Sequence, residues 1–166
     1  MIESPATQTP YFQLCFRPTV AMISDARRFV LAMYGPLLGN ADAASRVALA
    51  THELLENGLK YSLDGNMLLR IEISQGATAC EIRLETRNRI SSERREGLEE
   101  VFEDMDRADT AADYYQRAMQ RTRMRKHGSG LGLARISAEG EMKLSRTYVE
   151  DEVQIIATTM VNEVTL

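Results

Sequence analysis

Two stretches that alternate apolar and polar residues, Leu68–Ser74 and Thr78–Thr86, meet across Gln75-Gly76. Strict alternation is the period of a half-buried strand. A connection this short can join only antiparallel neighbours, because parallel strands need a crossover of a dozen residues or more. The pair therefore reads as a hairpin whose buried face is Ile71, Ile73, Ile82 and Leu84. The pattern returns near the end of the chain, where Met142–Val149 and Val153–Met160 flank an acidic turn at Glu150-Asp151. A further β-prone run, Tyr11–Phe16, is stopped by Arg17-Pro18.

Helical periods fill the intervals. Thr19 caps a helix with Met22, Ala26, Phe29, Val30, Met33 and Leu37 on its apolar side, closed by Gly35-Pro36 and Gly39. Asn40 or Asp42 opens a second that runs to about Tyr61, before a turn at Asp64-Gly65-Asn66. Ser91 or Ser92 starts a third, with Leu98, Val101, Phe102 and Met105 together. Thr110 and Asp113 form a capping-box-like entry to a fourth, striped by Ala111, Tyr114, Tyr115, Ala118 and Met119. Gly128-Ser129-Gly130-Leu131-Gly132 leads into a fifth, through Gly140. Strands that pair by hairpins, with helices grouped between them, predict an α+β two-layer sandwich: a mixed, mostly antiparallel sheet with helices on one face.

At 166 residues and 44% apolar content the chain is the size of one domain, spanning 1–166, and its net charge of −4 is too small to favour disorder. No apolar run approaches the ~20 residues of a membrane span, and MIESPATQTPYF has neither the basic start nor the apolar stretch of a signal peptide. Cys15 and Cys80 stand apart, without metal or disulfide spacing. The expectation is a cytoplasmic protein that binds neither membrane nor nucleic acid, the latter because nucleic-acid binders are usually basic. Charge is nonetheless segregated. Acids dominate from Glu93 to Asp113, whereas every charge from Arg117 to Lys126 is positive. Such blocks most often mark solvated helix faces, but this basic block runs straight into the glycines.

Two constellations can carry chemistry. In ASRVALATHELLENGLKYS, Val47, Ala50, Leu54, Gly58 and Tyr61 share the packed face of a helix, and Glu53, Asn57 and Lys60 fall in an arc of roughly 60° beside it. A carboxylate, a carboxamide and an ammonium along the rim of a buried stripe suit a metal–phosphate site. Asn can supply a neutral oxygen to Mg²⁺, Glu can orient or deprotonate an attacking hydroxyl, and Lys can meet phosphate as a point charge. His52-Glu53 is no zincin motif, since Glu56 stands where HExxH needs its second histidine; His52 reads as structural or surface. The second constellation is HGSGLGLARI. Alternate glycines allow positive φ and close backbone approach, and the bare amides of the following helix favour an anion. No GK[ST] follows, which excludes a P-loop, and neither the spacing nor the preceding basic stretch fits a Rossmann fingerprint.

Taken in order, an ExxxN helix, a strand hairpin, a helical insertion and GxGLGL resemble the GHKL ATP-binding superfamily of gyrase, heat-shock chaperone, histidine kinase and mismatch-repair proteins. HELLENGLKYS and GSGLGLARI carry the resemblance, which extends from about Tyr11 to Met160. At this length the chain is most similar to the freestanding bacterial anti-sigma-factor and partner-switching serine/threonine kinases. The resemblance implies a Bergerat fold, ATP with Mg²⁺, and phosphorylation of a small regulatory protein. It makes Asn57 the Mg²⁺ ligand, Glu53 the general base, and Lys60 the basic residue that follows. The turn Gly128, Ser129, Gly130, Leu131 and Gly132 becomes the phosphate-lining glycine box. Residues 89–127 become the ATP lid, with Arg125 or Lys126 at a phosphate.

One element of the family pattern is missing. Its first glycine box, DxGxG, presents an Asp to the adenine amino group, and here the same place reads Glu85-Thr86-Arg87-Asn88-Arg89-Ile90. Loss of a charge-assisted hydrogen bond costs roughly 1.5–3 kcal/mol, about ten- to a hundredfold in affinity. Thr86 or Asn88 could act as substitute acceptors; strand register decides where Glu85 points. The resemblance thus supports a kinase that transfers the ATP γ-phosphate to Ser or Thr of a small regulator. The alternative is a non-catalytic anti-sigma-like scaffold that holds a regulator or sigma factor through the first helix and a sheet edge. A simple ATP hydrolase ranks behind both, and relatives of this kind often form homodimers.

Overall fold

A computed structural model describes residues 10–124 and 130–162. Its ten elements are β1 (Tyr11–Phe16), α1 (Val20–Leu38), α2 (Ala41–Tyr61), β2 (Met67–Gln75), β3 (Cys80–Arg89), α3 (Ser92–Asp106), α4 (Ala111–Met124), α5 (Leu131–Ala138), β4 (Lys143–Val149) and β5 (Glu152–Val161). The strands form one sheet in the order β1-β2-β3-β5-β4, and every pairing is antiparallel. No parallel pair occurs among the described residues, so the sheet is simpler than the mixed one expected. The result is a two-layer α+β sandwich.

The register sorts the strands into two faces. Leu69, Ile71 and Ile73 of β2, Ile82, Leu84, Thr86 and Asn88 of β3, and Val153, Ile155 and Ala157 of β5 alternate onto the helix side, and all are buried. Against them packs α2, whose buried positions include several small residues, Ala43, Ala44, Ala48, Ala50 and Gly58, beside Val47, Leu54 and Leu55. Small residues let the helix axis approach the sheet closely. Gly58 illustrates the limit, since a methyl there would fall 2.0 Å from Cε of Met67.

The caps resolve the alternatives left by sequence. Asn40 Oδ1 accepts from the Ala43 amide (2.9 Å), Ser91 Oγ from the Arg94 amide (3.2 Å) and Thr110 Oγ1 from the Asp113 amide (3.1 Å). Two expectations for α1 are corrected. Gly35-Pro36 does not end the helix, which continues to Leu38 and stops at Gly39 with φ +58°. A proline so close to the last turn forfeits little of the hydrogen-bond ladder. The buried row is Ile23, Val30, Tyr34 and Leu38, whereas Met22, Phe29 and Met33 are exposed. Apolar residues surround most of this helix, so periodicity could not select the side that faces α2.

β3 is also longer than its alternation predicted. Thr86–Arg89 pair with Ile155–Glu152 as regular ladder, and the Ile90 amide donates to the Asp151 carbonyl (2.8 Å). Arg89 is therefore a strand residue, tied to Asp151 (2.6 Å), not the start of the lid. The helical insertion begins at Ser92. The segment in place of DxGxG is continuous strand, which makes no demand for glycine.

Candidate functional site

A cleft of about 610 Å³ opens between α2 and α3, floored by β3 and β5 and closed at one end by the start of α5. All eight candidate residues that lie among the described ones line it: Glu53, Asn57, Lys60, Thr86, Asn88, Gly130, Leu131 and Gly132. Arg125, Lys126, Gly128 and Ser129 lie outside the described residues.

The convergence of α2 and α5 is tightest at Gly132. A methyl placed on it would fall 2.8 Å from Oε2 of Glu53, and 3.6 and 3.7 Å from Nδ2 and Oδ1 of Asn57. The carboxylate and the carboxamide, one helical turn apart, thus both face the first turn of α5. Gly130 precedes that turn with φ +68° and, as a glycine, brings no side chain to cap the helix. The first amides of a helix are where an anion is favoured. Gly130 itself is pinned between other elements. A methyl on it would lie 2.7 Å from the Tyr114 hydroxyl of α4 and 2.8 Å from Cγ1 of Val101 of α3.

Glu53 is 7% exposed. Burial pushes its carboxyl above the ordinary range, and Glu56 adds to this, while the Arg135 guanidinium pulls it back. Arg135 reaches it from α5 as a direct ion pair. Lys60 stands on the rim of the cleft, mostly exposed, with Glu56 at 3.1 Å. His52 is half-buried, with Nε2 3.4 Å from Glu56. It holds to the side of α2 without forming part of a metal set; among the described residues no group of three metal-ligating side chains occurs.

At the sheet end, Thr86 and Asn88 are buried and face the helices, and the Asn88 amide nitrogen donates to the Arg89 carbonyl (3.3 Å). Glu85 points the other way. It lies opposite Ile156 on the helix-free face, buried between Arg87 (2.5 Å) and Arg83 (3.4 Å). Burial opposes its ionisation, but the hydrogen bonds and charge of Arg87, with Arg83, hold its carboxyl below the ordinary value. It cannot replace the absent Asp.

Arg135, Tyr61 and Arg94 are among the lining residues that sequence reasoning missed. Arg135 was visible in GLGLARI, yet its partner lies 82 residues away. Tyr61 and Arg94 meet across the open end of the cleft, with the guanidinium 4.5 Å above the ring. Nothing local announces that contact either, since it depends on where α3 lies.

No family model and no curated protein matches the chain. Among solved structures it is similar to a chain in the crystal structure of the SiaB-SiaC complex from Pseudomonas aeruginosa, with a TM-score of 0.63. The likeness covers 89% of each chain at 16% identity. What the two share is the fold. No helix of the described residues is long and apolar enough to cross a membrane.

Proposed function

We propose that the chain is an ATP- and Mg²⁺-dependent regulatory kinase of the partner-switching type, phosphorylating Ser or Thr on a small regulatory protein. The observation that carries this reading is the meeting of Glu53, Asn57 and the Gly130–Gly132 turn around one cleft. Its volume lies within the range of small-molecule sites, and its two ends differ in chemistry as a nucleotide's do. Thr86 and Asn88 offer neutral hydrogen-bonding groups at the sheet end, and the amides of α5 offer an anion site at the other.

The donor set fits Mg²⁺, a hard cation that accepts a neutral side-chain oxygen and completes its shell with waters and phosphate oxygens. Asn57 would hold it, and the ion would neutralise charge on the transferring phosphate. Glu53 takes the proton of the acceptor hydroxyl as its oxygen bonds to the γ-phosphorus and the bond to the β-phosphate oxygen breaks, leaving ADP. The α5 amides hold the phosphate oxygens, and the walls from α3 exclude water. That a chain of this fold was crystallised in the SiaB-SiaC complex supports a protein as the acceptor.

The test is transfer of label from γ-labelled ATP to a purified small regulatory protein recovered with the chain. Glu53→Gln should lower transfer by 10²-fold or more while ATP is still bound. A non-catalytic scaffold is the second reading, favoured by the absent adenine Asp and by the ion pair that occupies one oxygen of Glu53. Asn57→Ala separates the two: a scaffold binds its protein partner unchanged, whereas a nucleotide-dependent switch does not.

A further inference from the structure

The candidate base is held from outside its own helix. One oxygen of Glu53 is engaged by Arg135, and the other lies over Gly132. Arg135 also reaches Glu139 (3.4 Å), and Glu139 accepts the hydroxyl of Tyr115 (2.6 Å). The four side chains form an unbroken path from α4, through α5, to α2. The other charged groups around Glu53, namely Glu56, His52 and Lys60, all belong to α2. Among the described residues, Arg135 is the one cation from a second element that makes an ion pair with Glu53. Only the carboxylate of this pair is buried, since Arg135 keeps about a third of its side chain in solvent.

We propose that Arg135 is the positioning residue of Glu53, and that the Tyr115–Glu139–Arg135 path makes the aim of Glu53 depend on how α4 sits against α5. The assignment rests on Glu53 as the base of the proposed kinase. With Oε1 held by Arg135, Oε2 lies over Gly132, on the side of the glycine turn that the proposed kinase reading assigns to the phosphates. A carboxylate fixed at one oxygen presents the other in a defined direction. The planar fork of arginine suits the task, since it spans two carboxylates at once, which a lysine ammonium cannot do in the same geometry.

The path is read in the ligand-free full chain from the ¹³C resonance of the Glu53 carboxyl, assigned by its loss in Glu53→Gln. Tyr115→Phe should shift that resonance, and Arg135→Gln should shift it further. In an Arg135→Lys background, Tyr115→Phe should no longer move it. With Mg²⁺-ATP, Arg135→Gln should slow turnover of bound ATP by about tenfold or more. Affinity for ATP should stay within about twofold, and Arg135→Lys should recover part of the rate. An unmoved Glu53 resonance in Tyr115→Phe, or a parallel loss of rate and affinity in Arg135→Gln, overturns the proposal. If the wild-type chain binds no ATP, the kinase reading falls, and the resonance still decides whether α4 controls Glu53.

Discussion

Position 132 shows how narrowly the site is drawn. A methyl carbon there would fall 2.8 Å from Oε2 of Glu53, which would have to shift, and would only touch the Asn57 amide, so proximity and not dihedral angle favours the glycine. Gly132→Ala should cost about 1–3 kcal/mol in denaturant unfolding, the range for overpacking. It should also weaken Mg²⁺-ATP binding by more than that loss of folding explains, because the groups beside the added methyl are the proposed base and the proposed Mg²⁺ ligand. Gly130 differs in mechanism. Its φ of +68° strains any L residue by about 1–2 kcal/mol, and an added methyl would press on Tyr114 and Val101. Gly130→Ala should therefore lower stability whether or not nucleotide is present, which a thermal melt with and without ATP will show. Glycines at both positions were visible in the sequence; their different reasons were not, because contacts of Gly132 with Glu53 and of Gly130 with Val101 cross large stretches of chain.

Among the elements, α3 is the wall whose anchoring is easiest to disturb. Arg146 of β4 grips Glu99 with two hydrogen bonds, at 3.1 and 2.7 Å, and lies 4.5 Å from the Phe102 ring. The hydrogen bonds from Arg146 hold the Glu99 carboxyl at about 2, below its ordinary 4.5. A carboxylate depressed in the folded state contributes stability that is complete above the unfolded value and is lost as pH falls through the folded one. Wild-type stability should therefore decline between about pH 4.5 and 2, and Glu99→Gln should lose about 1 kcal/mol at pH 7, discounted for solvent screening. The same variant should flatten that part of the pH profile. At this scale the sequence was an uneven guide. Strong alternation located β2, β3, β4 and β5, and Asn40, Ser91 and Thr110 announced their helices. In α1, apolar residues on several sides hid the buried row of Ile23, Val30, Tyr34 and Leu38. The last turn of β3 was hidden because Arg87 and Arg89 carry charges outward while Thr86 and Asn88 face in, a pattern that reads as loop until β5 is seen beside it.

Across the whole molecule, the Glu53–Asn57 stretch of α2 and the Gly130–Gly132 turn meet because α2 packs on the sheet and α5 returns the chain to α2 before β5 completes the floor. At the sheet end of the cleft Glu85 is turned to the far face, and Thr86 and Asn88 face the helices, where they are the acceptors proposed for a nucleotide base. Thr86→Val should then weaken binding of ATP by a few-fold to tenfold, one neutral hydrogen bond, and should affect guanine and adenine nucleotides differently. The central claim, that the cleft is a Mg²⁺–nucleotide site, is tested most directly by calorimetric titration of ATP into the wild type and Asn57→Ala, each with and without Mg²⁺. The account predicts saturable binding by the wild type that strengthens with Mg²⁺, and loss of the Mg²⁺ dependence in Asn57→Ala. No heat of binding to the wild type at millimolar ATP, or an Asn57→Ala titration indistinguishable from it, would contradict the account.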